Sequence, residues 1–260
     1  MAYGKASNGE GYARDGDIVH NILSRLPFKD AARTMVSRSW RRLWRCYPKL
    51  IFTRNTMLHE NITSDHPTHI LAAFIRRVNT VVRQFKSATL KKFVVKFPLL
   101  QSEAHHIDSW VSLSASTRAS RIILDLCPEI ENIGGNDMYS FPLHLFSDDN
   151  CVKSLCLGYV SLTLPPGLNG FTNLKKLGLH MVSISGDLQC LLPQCDALEW
   201  LSLTWCSLEH LSISQPLRRL RYLRLLDCGL QKLDLQAPNL SEFELTNDPI
   251  PVALGECFNL

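Results

Sequence analysis

The sequence is short of everything that would mark it as a membrane protein, a secreted scaffold or a familiar enzyme. Its uninterrupted apolar runs span only a few residues, far below the roughly 18 that cross a bilayer. Residues 1–16 are polar and Gly-rich, with no apolar stretch of the kind a signal peptide needs. The net charge of +4 over 260 residues is too small to demand nucleic acid or an anionic membrane as partner. No P-loop, G-x-G-x-x-G, G-x-S-x-G or H-E-x-x-H occurs, and local spacing assembles no Ser/His/Asp set. The nine cysteines include no C-x-x-C pair. Their odd number and the length of the chain point to core thiols rather than a disulfide framework or a zinc site. His105 and His106 are sequence neighbours, expected to point apart and not to share a metal. The expectation is a soluble cytoplasmic and/or nuclear protein with no cofactor and no catalysis of its own.

What is present begins with two amphipathic segments. Asp17 suits the N-cap of a helix in which Ile18, Val19, Ile22, Leu23 and Leu26 share one face, and Pro27 ends it. Asp30 caps a second, with Ala32, Val36, Trp40, Leu43 and Tyr47 as its stripe. Two short helices bury little by themselves, so another surface must cover them. Arginines 33, 38, 41, 42 and 45 surround much of the second helix, while Trp40 and Trp44 belong to its apolar face. That distribution suits a solvated basic face better than a nucleic-acid patch.

The stretch "DIVHNILSRLPFKDAARTMVSRSWRRLW" resembles the F-box motif in its plant form. F-box proteins bind a Skp-type adaptor of a cullin–RING ubiquitin ligase through this module, and the rest of the chain selects the target. The resemblance implies adaptor-facing or module-core roles for Ile18, Ile22, Leu23, Leu26, Pro27, Val36 and Trp40. Two departures stand out: Asp15-Gly16 replaces the usual Leu-Pro before the first helix, and residues 33–38 run about one residue short. One missing residue turns everything beyond it by about 100°.

Next, Ile70, Leu71, Phe74, Ile75, Val78, Val81, Val82 and Phe85 carry helical spacing into a packing helix, and Leu90 to Val95 alternate as a strand. A Leu-x-x-Leu-x-Leu pattern then recurs, centred on residues 155, 177, 201, 223 and 243, at intervals of 22, 24, 22 and 20. These fall in the 20–29 range of leucine-rich repeats. Earlier copies centred on Phe93 and Leu124 sit 31 apart, with a helix expected around 107–113. Two further copies, at Leu208-Leu211-Ile213 and Leu230-Leu233-Leu235, fall midway and are expected as short strands on the opposite, convex wall. "FTNLKKLGL", "CDALEWLSLTWCSLEHLSI" and "APNLSEFEL" look like the repeats of plant F-box/LRR proteins.

The expected fold is therefore α/β, a short N-terminal helical F-box-like module followed by a leucine-rich-repeat solenoid. Its boundaries are a disordered tail (1–16), the module (17–50), a linker and packing helix (51–89) and the solenoid (90–260). Because 257–260 resemble the start of another repeat, the solenoid looks truncated or the chain a fragment. Residues between the inward leucines should display Lys176, His180, Trp200, Ser202, Thr204, Tyr222, Arg224, Glu242 and Glu244 on a concave face. The resemblance implies a substrate-recognition subunit of an SCF-type ligase, joined through its adaptor to a cullin and holding a protein target on the repeats. The alternative is a leucine-rich-repeat interaction scaffold whose degenerate F-box no longer binds the adaptor.

Overall fold

The computed structural model describes residues 48–58, 66–128, 137–147, 151–213, 215–246, 251–253 and 255. Ile18, Ile22, Leu23, Leu26, Pro27, Val36 and Trp40, with the tail at 1–16, lie outside the described residues.

Eight parallel strands form one long sheet. They are β1 (Lys49–Thr53), β2 (Lys92–Lys96), β3 (Arg121–Asp125), β5 (Ser154–Gly158), β7 (Lys176–His180), β9 (Trp200–Thr204), β11 (Tyr222–Leu226) and β13 (Glu242–Thr246), adjacent in that order. Chain order equals spatial order, so each new strand adds beside the last. The register is continuous from Leu50 through Phe93, Ile122, Leu155, Leu177, Leu201 and Leu223 to Phe243. Two short parallel sheets face the same core. One is β4 (Tyr139–Phe141), β6 (Val160–Thr163) and β8 (Ser183–Ser185); the other is β10 (His210–Ile213), β12 (Lys232–Leu235) and β14 (Val252–Ala253). The midway copies Leu211, Ile213, Leu233 and Leu235 thus form a second wall, buried with Leu201 and Leu203 in one cluster.

The physical cause is the two-residue period of a strand. At alternate positions Leu177, Leu179, Leu201, Leu203, Leu223 and Leu225 turn inward and are at most 1% exposed. Each contributes about 1.5–3 kcal/mol on burial, and only while a neighbouring strand covers it. A left-handed residue ends four successive strands: Tyr159, Met181, Trp205 and Asp227, with φ of 50–54°. Each gives its N–H to a carbonyl one strand on, at His180, Thr204, Leu226 and Thr246 (2.8–2.9 Å). That repeated bond offsets the cost of φ > 0 in residues that are not glycine.

Two helices close the N-terminal end. In α2 (Pro67–Gln84), which follows the one-turn α1 (Arg54–Met57), Pro67 starts the first turn and Ile70, Phe74 and Val78 are buried. In α3 (Ala104–Ser116), Ile107, Trp110 and Val111 are buried. Phe74 stacks on Phe97 (3.9 Å, 10°), and the Trp110 indole N–H donates to Asn79 Oδ1 (2.7 Å).

Three expectations are corrected. The sheet begins at Lys49, inside the span assigned to the helical module, because Leu50 and Phe52 pair with β2 and are fully buried. The residue equivalent to Phe93 and Leu155 in β3 is Ile122, not Leu124, so the early intervals are 29 and 33 residues. The His105 and His106 rings do not point apart; their centroids are 3.7 Å from each other. Among the described residues, even so, no three His, Cys, Asp or Glu side chains gather as a metal site. Cys127, Cys156, Cys190, Cys195, Cys206 and Cys228 are free thiols, and no described helix is long and apolar enough to cross a membrane.

Candidate functional site

The strand positions that do not point inward form a three-row grid on the outer face of the long sheet. One row runs through Lys176, Trp200, Tyr222 and Glu242; the next through Gly178, Ser202, Arg224 and Glu244; the third through His180, Thr204, Leu226 and Thr246. All nine residues expected on this face are therefore placed on it, four strands wide. Their contacts cross the strands. Lys176 Nζ lies 3.7 Å from the centre of the Trp200 ring, and Trp200 stacks on Tyr222 at 5.3 Å and 2°. Tyr222 Oη donates to Glu244 Oε1 (2.8 Å), while Arg224 Nε sits 3.1 Å from Glu244 Oε2 as an ion pair not aligned for a hydrogen bond. Burial first, then Glu244, pushes the Tyr222 phenol above its ordinary range, so it stays a neutral donor. Ser202 is only 7% exposed and serves as floor rather than contact.

Trp205, one residue past β9, was not among the expected positions. It is 54% exposed, its ring lies 5.7 Å from that of His180, and its N–H donates to Asp227 Oδ2 (2.9 Å). An exposed indole pinned in this way extends the aromatic part of the face. Its place at a left-handed turn is invisible to strand alternation.

A depression of about 260 Å³ opens in the middle of the face, between Lys96, Gly158, Gly178, His180 and Trp200. Two absent side chains make it. A Cβ on Gly178 would come within 3.2 Å of the Trp200 ring and 3.3 Å of Cys156 Sγ; one on Gly158 would meet Asp125 Oδ1 at 2.8 Å. Lys96 pairs with Asp125 (3.4 Å) along its border. Burial raises the Cys156 thiol, and it pushes Cys127 up to about 12, helped by a hydrogen bond with Asp125. Both thiols are held in the protonated form, unsuited to nucleophilic attack. The depression can hold a small group by shape and contact.

Strands β1, β2, β3, β5 and β7 of the long sheet carry basic residues at, or just before, the edge where each strand starts, and apart from Lys176 these lie beyond the expected nine. Lys49, Lys92, Arg121 and Lys176 occupy the first strand row, with Lys91, Lys153 and Lys175 just before it. Backbone bonds continue the register into that outer row, Lys153 N–H to Ser120 O (2.7 Å) and Lys175 N–H to Lys153 O (2.9 Å). These residues line an open groove of about 680 Å³, and none of the described residues lining it is acidic. The ammonium of Lys92 is held below the usual lysine range by burial, then by Arg121, Lys49 and Lys96.

The family described as "At1g61320/AtMIF1, LRR domain" matches residues 81–260. Among curated relatives from Arabidopsis thaliana, the F-box/FBD/LRR-repeat protein At1g13570 is 30% identical over 203 residues, 76% of this chain and 45% of that protein. The F-box/LRR-repeat protein At3g58900 is 28% identical over 244 residues, 87% of this chain and 69% of the relative. The F-box protein At3g03040 is 26% identical over 234 residues, 87% and 48% respectively. The chain thus spans about half the length of several curated relatives it matches. No solved structure gives a significant match.

Proposed function

The chain belongs to the plant leucine-rich-repeat family described as At1g61320/AtMIF1, and on that premise we propose that it is the substrate-recognition subunit of an SCF-type cullin–RING ubiquitin ligase. In this reading the repeats form a solenoid whose outer strand face holds a protein target. The N-terminal helices hold a Skp-type adaptor through Ile18, Ile22, Leu23, Leu26, Pro27, Val36 and Trp40, and through the adaptor a cullin. The chain contributes no bond-making chemistry; it raises the local concentration of a target beside the transferring enzyme. It acts in the cytoplasm and/or nucleus.

The observation that carries the proposal is the composition of the face. The inward grid is almost wholly aliphatic, whereas the outward grid gathers Trp200, Tyr222 and Arg224 into one stacked and ion-paired patch. Those are the residue types that dominate binding energy at protein interfaces. The relatives' names join an F-box to such repeats.

The test is a titration of the chain with a plant Skp-type adaptor, beside an Ile22→Asp/Leu23→Asp variant whose circular dichroism matches wild type. Saturable binding lost in the variant is the expected result. A folded wild type that does not bind would refute the ligase role and leave the interaction-scaffold reading.

A further inference from the structure

We infer that the basic groove over β1, β2, β3, β5 and β7 is the seat of an acidic, extended segment of the target protein, rich in Asp and Glu, with the Trp200–Tyr222 patch anchoring the target residues adjacent to that segment. The inference rests on the reading of this face as the target-binding surface and names the chemistry of its occupant.

Seven cations converge on the groove from residues far apart in sequence: Lys49, Lys91, Lys92 and Arg121, then Lys153, Lys175 and Lys176. Like charges repel one another there in the free protein: burial comes first in making Lys92 release its proton more readily than an ordinary lysine, and the charges of Arg121, Lys49 and Lys96 add to it. A polyanion laid across them removes that repulsion. The floor under the charges includes Ile123 and Cys156, so the lysine stems have apolar surface to lie on while their heads project.

The chain itself shows that this edge accepts a carboxylate. Glu199 lies where the groove ends, its Oε1 bonded to Lys175 Nζ at 2.7 Å, and it is held below the usual carboxylate range by that bond. Arg221 and Arg219 add to the effect from the other side. A carboxylate between cations of neighbouring strands is the contact proposed for the target, supplied here by the chain.

The groove's dimensions and cation types narrow the ligand further. Five strands at about 4.8 Å separation span roughly 19 Å, the length of about six extended residues at about 3.3 Å each. Six of the seven cations are lysines, which act as point charges, whereas phosphate recognition favours the forked geometry of arginine. A nucleic-acid strand is disfavoured by the aromatic patch. One face of Trp200 is taken by Lys176 and the other stacks on Tyr222, so the indole offers no open platform for a base. Further along, Glu242 and Glu244 would repel a continuing phosphate backbone.

The test is fluorescence anisotropy of the full chain with a labelled poly-glutamate peptide of about eight residues and a poly-glutamine control. Saturable binding of the glutamate peptide, at least about tenfold tighter than the control and weakening from about 50 to about 300 mM salt, is expected. Lys92→Glu/Arg121→Glu should weaken it at least about tenfold, while Lys232→Glu, on the short β12 sheet, should leave it within about twofold. Equal binding of the two peptides would overturn the inference, as would a folded charge-reversal variant that binds like wild type. So would a single-stranded oligonucleotide or inositol hexakisphosphate binding far more tightly than the peptide. Titrating the adaptor on the same sample separates the failures: loss of peptide binding with intact adaptor binding removes this inference alone, and the converse removes the ligase reading alone.

Discussion

Three consecutive residues of β9 should respond to alanine in three different ways. Leu201 is fully buried between Leu177 and Leu223 of the neighbouring strands, themselves fully buried. Leu201→Ala removes apolar burial and leaves a cavity between two stacked layers, a cost of about 3–5 kcal/mol for a leucine in a site that cannot collapse. For a unit of this size each kcal/mol lowers the midpoint by roughly 2–4 °C, so the thermal midpoint should fall by roughly 10 °C. Ser202, one residue on, points the other way; Ser202→Ala should stay within about 1 kcal/mol of wild type. Trp200→Ala loses the stack with Tyr222 and the Lys176 contact, about 1 kcal/mol of stability, but on the role proposed for this face should abolish target capture. Thermal melts by circular dichroism, repeated as urea titrations with slopes compared, provide the assay. A Leu201→Ala midpoint within about 2 °C of wild type, or a Ser202→Ala loss equal to it, would refute the assignment of inward and outward rows.

Gly170→Ala should destabilise by several kcal/mol, because φ is +105° and the new Cβ would sit 2.0 Å from Ser147 O, whereas Gly167→Ala, at φ +76° in open space, should cost only about 1 kcal/mol; urea midpoints of the pair measure the difference. Asn79→Ala should cost about 1–3 kcal/mol by orphaning the buried Trp110 N–H, and Asn79→Gln should do no better if the 2.7 Å geometry is what matters. The Glu199 carboxyl titrates lower folded than unfolded, first because of its bond to Lys175. Its contribution is therefore present at neutral pH and lost as pH falls through its folded value. Lys175→Gln should flatten stability against pH on that acid side, by well under 1 kcal/mol because the pair is exposed. Lys92 should react with acetic anhydride faster than Lys232, and Arg121→Gln should slow it, since Arg121 is the largest charge holding its proton affinity down; mass spectrometry of the labelled chain reads both.

The ladder was legible because its physics is local: an inward leucine every second residue, with turns every 20 to 24, needs no knowledge of neighbours. Registration was less legible. β3 reads Arg-Ile-Ile-Leu-Asp, in which Ile122 and Leu124 both face inward, and only pairing with Leu155 and Leu157 decides which matches which. β1 escaped because Leu50 and Phe52 come directly after an apparent helical stripe, and five residues are too few for a change of period to stand out. The strands Tyr139–Phe141 and Ser183–Ser185 are shorter still. The nine expected face residues are fixed by alternation alone. The basic groove is not, since its lysines are scattered from 49 to 176 and become neighbours only when strands stack in chain order.

That scattering explains how such a face can carry specificity. Inward positions are dictated by the core, and a polar residue there would be buried without a partner. Outward positions answer only to their immediate neighbours, so charge can vary from strand to strand at little cost to the fold. In this chain it runs from basic residues on β1, β2, β3 and β7, through the aromatic pair on β9 and β11, to glutamates on β13. Gly178 fixes the transition: with no side chain there, the Trp200 ring comes within 3.2 Å of where a Cβ would sit, between Lys176 and Tyr222. A ring already held on two sides has little rotamer freedom left to lose, which suits the anchor role proposed for Trp200. On that proposal partner affinity at this face should fall when Gly178 gains a side chain, even though the inward leucines beneath it are untouched.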